Sequence, residues 1–328
     1  MRSLMHQLLR EPALGGHVKR LDSLPDQLES DISDVNYANW IFAVGLFCPS
    51  IFSLAVPIPY GNCAASAFRD LAGKLKLRRL VLRLADDYDL AGTGLILHEC
   101  QDFLAGWDLS RCESLQLPPV DVRSLNPPNR PPILIQSASL ILQDFRNVTN
   151  ARVLGDYFDL RNVRSVEYRI SSPYDTDLSL SVLHALTPEL DKMTICGDVD
   201  LWPFLSWDPL SRSRFPCLTQ LTLGGFDLKG GDLVDIVHQF PLLRLLDFTH
   251  SVWTADISTA RVWPESLRYL RHLRALWTGT FRCETVGAHE RLQDAITGYC
   301  KCNNISLICT ADLDVSSIGP LELGQLRY

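Results

Sequence analysis

The stretch from Leu218 to Phe248 holds one structural repeat and the start of its copy. It opens Leu218-x-x-Leu221-x-Leu223-x-x-Phe226-x-Leu228, the spacing of a leucine-rich repeat with Phe where Asn or Cys is more usual. Alternation puts Leu221 and Leu223 on one side of a short strand, and Leu228 anchors the turn that follows. Gly230-Gly231 punctuates the chain, Asp232 is the expected helix N-cap, and Leu233, Ile236, Val237 and Phe240 recur at helical spacing. Pro241 stops the helix, and Leu243-x-x-Leu246-x-Phe248 begins the pattern again. Such a repeat cannot hide both its strand leucines and its helix face alone, so copies must stack.

The row recurs along the chain. Its first positions are Val18, Ile51, Leu77, Cys112, Ser137, Val163, Leu190, Leu218, Leu243, Leu273 and Cys302. The gaps between them are 33, 26, 35, 25, 26, 27, 28, 25, 30 and 29 residues, where leucine-rich repeats run about 20–29. Acidic residues 22–36, residues 85–94 and the segment from Pro118 to Pro132, with six prolines, read as loops. Helices are expected over 40–47, 64–75, 95–104, 151–160, 178–186, 265–270 and 289–299. The fold class that follows is an α/β leucine-rich-repeat solenoid of ten to eleven irregular repeats. It has a curved parallel sheet on one side and helices on the other. Residues 1–17 are expected to form an N-terminal capping helix, and 18–328 the array with its C-terminal cap.

Charge and composition remove several functions. The net charge is −7 and the basic residues are scattered, which argues against nucleic acid as a partner. The densest basic group, Lys74, Lys76, Arg78 and Arg79, reads as a solvated edge at a helix-to-strand joint. Ten cysteines show no repeated spacing, and Cys48 and Cys112 sit inside apolar patterns, where a thiol acts as a small hydrophobe. No secretory signal opens the chain, so a cytoplasmic or nuclear location is expected. No apolar run approaches the roughly 20 residues of a membrane span, so a soluble chain without membrane association is expected.

No P-loop, G-x-G-x-x-G, G-x-S-x-G or H-E-x-x-H motif is present. His98-Glu99-Cys100 and Cys300-x-Cys302 lack a second pair at zinc-site spacing. Asp175-x-Asp177 and Asp198-x-Asp200 fall where caps and turns need Asp, and Gly92-Thr93-Gly94 reads as a turn. The expectation is therefore no enzyme, no cofactor and no metal. What remains is the strand face turned away from the leucines. Its outward positions include Val81, Ile141, Thr194 and Ser306, and the partner-binding candidates are Arg83, Gln116, Glu167, Arg169, Thr222, Asp247 and Trp277. Trp277 is the expected interface anchor, and loop-borne Trp202, Trp207 and Trp253 are candidates for its rim.

Two segments carry a family resemblance. Glu11-Pro12-Ala13-Leu14-Gly15-Gly16-His17-Val18-Lys19-Arg20-Leu21 is followed by Phe47-Cys48-Pro49-Ser50-Ile51-Phe52-Ser53-Leu54. They resemble fungal F-box-associated leucine-rich-repeat proteins, in which a P-x-L-x-x-H-V-+-x-L strand precedes a C-P-N-L-x-x-L strand. Here Ser50 replaces the Asn. The resemblance implies a protein partner and a role as the substrate-recognition arm of a ubiquitin-ligase adaptor. It covers the repeat region only, and the F-box itself is not expected in this chain. Leu24-Pro25-Asp26-Gln27-Leu28 imitates its opening motif, but after the first strand. An SCF-type adaptor is the further expected partner if an F-box is missing from the gene model. The alternative is a stand-alone leucine-rich-repeat scaffold or binding protein with no ligase role.

Overall fold

The second apolar position of each row is where the sequence pattern becomes a packed layer. The computed structural model describes residues 7–21, 34–58, 66–67, 70–71, 75–83, 95–105, 107, 109–121, 131–143, 145–146, 153–170, 182–197, 205, 207, 215–255, 259–283 and 288–309. Its architecture is mixed α/β, with long-range contacts dividing the chain into two compact units, Met1–Val163 and Arg164–Tyr328.

The strands of the first unit are Arg20–Leu21 (β1), Ser53–Pro57 (β2), Arg79–Arg83 (β3), Leu95–Ile96 (β4), Ser114–Gln116 (β5), Val120–Asp121 (β6), Ile133–Leu134 (β7), Ser139–Gln143 (β8), Phe145–Arg146 (β9) and Phe158–Asp159 (β10). Parallel pairing runs β1-β2-β3-β5-β8, and the register aligns Leu21, Leu54, Leu80, Leu115 and Leu140. The strands β4, β6 and β9 form a second parallel ladder, and β7 pairs with β10. In the second unit the strands are Ser165–Ile170 (β11), Lys192–Gly197 (β12), Gln220–Gly224 (β13), Asp227–Lys229 (β14), Leu245–Asp247 (β15), Val252–Ala255 (β16), Ala275–Thr278 (β17), Thr280–Cys283 (β18) and Ser306–Cys309 (β19). Here the order is β11-β12-β13-β15-β17-β19, aligning Val166, Met193, Leu221, Leu246, Leu276 and Leu307, with β14, β16 and β18 as the side ladder.

From Leu54 to Leu276 every member of these two columns is buried. Each such aliphatic contributes roughly 1.5–3 kcal/mol of burial, offset by chain entropy. From Ile51 to Leu273 the first positions are buried as well, and a polar residue survives among them only by hydrogen bonding. Ser137, fully buried, donates its hydroxyl to the Cys112 carbonyl at 2.9 Å.

A repeated backbone contact sets the height at which one coil (strand plus return) sits on the next. In seven rows the carbonyl one residue past the first position accepts two consecutive N–H groups of the following coil, while those of Glu113 and Arg274 accept one each, from Ser139 and Ser306. Arg78 O receives Glu113 N at 2.7 Å and Ser114 N at 3.0 Å. Thr219 O receives Arg244 N at 2.7 Å and Leu245 N at 3.1 Å. The same double acceptance recurs at Lys19, Phe52, Arg164, Asp191 and Arg244. Close approach also needs glycine at two places. A Cβ on Gly279 would lie 2.0 Å from the Ser251 carbonyl oxygen, and Gly225, at φ +78°, would press one to 2.9 Å from Gly197 Cα.

Several expectations need correcting. The N-terminal capping helix is broken: residues 7–10 are helical and Pro12–His17 is a 3-10 helix. Pro12 has no N–H to donate and holds Glu11 out of helical geometry, at φ −134° and ψ 74°. The acidic loop ends earlier than expected, because a helix runs Asp34–Phe47. The proline-rich segment still contributes β6, paired in parallel with β4 and β9. Asp232 is not the N-cap. The helix is Gly230–Gln239, and Asp232 sits at its third position, accepting the Lys229 N–H at 2.7 Å. The helix expected at 265–270 is Thr259–Leu267.

The last row is shifted by two residues. Its helix, Ala288–Cys302, continues past the expected end because Leu292, Ile296 and Cys300 all face the core at helical spacing. Asn304 then takes a left-handed conformation, φ 56°, which Asn tolerates better than most residues. As a result Leu307, not Ile305, pairs with Leu276, and Ile308, not Ser306, stands beside Trp277.

Leu221→Asp places a charge in a column with no room for water. It is expected to abolish the cooperative thermal transition of the chain followed by circular dichroism. A variant that still melts cooperatively within a few degrees of the parent would show that this column is not the core.

Candidate protein-binding face of the parallel strands

Alternation along each strand sends every second side chain away from the aliphatic columns. In the second unit these outward residues also come into register: Glu167, Thr194, Thr222, Asp247, Trp277 and Ile308. Five of the seven candidates therefore lie on one unit, since Arg169 is two residues beyond Glu167 on the same strand. Arg83 and Gln116 belong to the first unit. Arg83 is exposed at the end of β3, opposite Pro57, and Gln116 is half-buried between Val81 and Ile141. Val81 is outward by alternation yet only 4% exposed, so that position offers no surface.

The second-unit face is graded from charged to apolar. At one end the Arg169 guanidinium donates to Glu167 at 2.6 Å. Arg169 is paired in register with Cys196, whose thiol is pushed up to about 11, chiefly by burial, with Glu167 and Asp247 adding to the effect and Arg169 opposing it. Asp247 is largely covered, at 8% exposure. Its carboxylate accepts the Thr249 N–H at 2.9 Å and the Thr249 hydroxyl at 2.6 Å, which closes the turn after β15. At the other end half-buried Leu245, Ala275 and Trp277 adjoin Ile308, which is 46% exposed. An outward indole bordered by Asp247 and small or aliphatic side chains has the make-up of an interface anchor.

Two of the three tryptophans expected at the rim are buried instead. Trp253 lies within β16, fully buried, with its ring 4.9 Å from Phe248 and 4.8 Å from Trp263, both edge-on. Trp207 is buried edge-on to Phe240 at 6.1 Å. These rings pack against Phe240, Phe248 and Trp263 in the core. Trp202 lies outside the described residues, as do Asp175, Asp177, Asp198, Asp200 and Gly92 to Gly94. Of the ligand-like clusters, Cys100 is buried and Cys302 exposed, and no three His, Cys, Asp or Glu side chains converge among the described residues. No helix among them is long and apolar enough to cross a membrane.

Sequence reading missed Ile308 as an outward residue, because the helix running through Cys302 hid the two-residue shift. Asn303-Asn304, a turn signal, marks the place.

Comparison with known proteins adds little. No family model and no curated protein matches the chain. Among solved structures it is similar to the crystal structure of a protein from Bacteroides fragilis, at 11% identity over 73% of this chain and 75% of that one, with a TM-score of 0.32.

Two tryptophan variants should separate anchor from core. Trp253→Ala is expected to cost about 3–5 kcal/mol of stability, and Trp277→Ala about 1 kcal/mol or less, by chemical denaturation. Equal losses would place Trp277 in the core. In the native chain near pH 8, a thiol reagent should label exposed Cys217 and Cys302 rapidly. Cys196 and Cys300, both pushed up to about 11 mainly by burial, should react slowly. Mass mapping of labelled peptides reads the order.

Proposed function

We propose that this chain is a leucine-rich-repeat protein-interaction module that recognises a partner protein with the outward side of its parallel strands. In this reading it serves as the substrate-recognition arm of a ubiquitin-ligase adaptor. The observation that carries the interaction role is the outward column of the second unit, ending in Trp277 and Ile308. Strand pairing spaces such side chains about 4.8 Å apart on a rigid backbone, so a partner surface can be read at several points without ordering a loop. The ligase context is supported by the resemblance of residues 11–21 and 47–54 to the F-box-associated family. No group of side chains suited to nucleophile, base and anion site converges on this face among the described residues, and binding is the chemistry its graded surface suits.

The test is co-purification of the full-length chain with an SCF adaptor and a substrate protein. Trp277→Ala is expected to weaken substrate capture by roughly thirtyfold in Kd while adaptor binding is retained. Substrate capture that depends on Trp277 with no adaptor present would make the chain a stand-alone repeat scaffold. Capture indifferent to Trp277 would remove this face from the function.

A further inference from the structure

The starts of three first-unit strands enclose a groove that the outward face does not include. Its volume is about 640 Å³, and Lys76, Arg78, Arg111, Glu113 and Gln136 line it above buried Cys112. Three of these side chains are cationic and one is anionic, in a chain whose net charge is −7. Read along the sequence, Lys76 and Arg78 belong to a solvated edge. Stacking brings Arg111, from the next coil, to the same opening. Neither Lys76 nor Arg111 has an ion-pair partner among the described residues, and Arg78 Nε stands 3.9 Å from Glu113 Oε1, both side chains mostly exposed. That distance is beyond a hydrogen bond, so the pair is loose and the three cations are available to a ligand.

We propose that this groove binds an acidic, Asp- or Glu-rich segment of a partner protein. The backbone decides between carboxylates and phosphate. Phosphate sites gather free N–H groups around one anion. Here the Arg78 N–H is given to Phe52 O at 2.8 Å, the Cys112 N–H to Leu109 O at 3.0 Å, and the Glu113 N–H to Arg78 O at 2.7 Å. Recognition is left to long cationic side chains on two coils, which suits carboxylates spaced along an extended chain. Glu113 acts as the selectivity element: it repels a weakly acidic segment and is displaced from Arg78 by a strongly acidic one. The inference rests on the reading of the chain as a protein-interaction module, but on a surface separate from Trp277.

The experiment is fluorescence polarisation of a labelled Glu-rich peptide with the full chain at low ionic strength. Lys76→Glu with Arg111→Glu should weaken binding at least about tenfold, and Glu113→Gln should tighten it about two- to threefold. The pair Lys76→Ala with Arg111→Ala serves if charge reversal disturbs folding, with a smaller loss expected. Arg291→Glu, exposed on the helix Ala288–Cys302, reverses a charge outside the groove and should leave binding unchanged. Equal loss with Arg291→Glu, or no loss with either groove variant, overturns the proposal. A phosphoserine peptide bound about tenfold tighter than the Glu-rich one also overturns it, in favour of a phosphate site. Trp277→Ala should leave peptide binding intact, so partner capture indifferent to Trp277 with the peptide still bound would reject the strand face alone, and Trp277-dependent capture with no peptide binding would reject the groove alone.

Discussion

Parallel strands cannot be joined by a hairpin, so each pairing in this chain requires a return of some two dozen residues that must itself be packed. The double-acceptor carbonyl makes that return worthwhile. By holding two N–H groups of the next coil, it fixes the height of the incoming strand, and the aliphatic columns then meet side chain to side chain. Without that fixed height Leu221 would not lie against Met193 and Leu246, and the alternation that turns Thr222 outward would lose its meaning. Both the core and the candidate surface descend from this one contact.

Much of this was legible because period-two alternation and a repeat of some 25–35 residues are properties of the chain itself. Leu54, Leu80, Leu115, Met193, Leu221, Leu246 and Leu276 announce their column in the sequence and occupy it in the fold. The failures have physical causes. The Cys302 row was misplaced because an amphipathic helix and a strand row can share residues on paper, and only hydrogen bonding ends the helix. Asp232 suits both the cap and the third helical position, and Lys229 N–H decides between them. Alternation tells which way Val81 points but not whether something covers it.

The candidate surfaces divide along the same line. Trp277 and Thr222 could be assigned from spacing, since a neighbour two residues away settles their direction. Asp247 could not be assigned a role, because its use by Thr249 is a matter of turn geometry. The basic groove was invisible for a further reason. Lys76 and Arg111 are separated by an entire return, and no local window shows that their strand starts stand side by side.

The double-acceptor joint has a consequence for how such a chain can change over generations. Each strand from β1 to β17 that continues a row begins two residues after the row's first position, while the coils vary from 25 to 35 residues in length. Insertions within a return leave the joint untouched, whereas one residue gained or lost beside it would strand paired donors and turn leucines to water. Duplication or deletion of a complete coil preserves every joint. Growth by whole modules, with freely drifting returns, is therefore the course that this backbone permits.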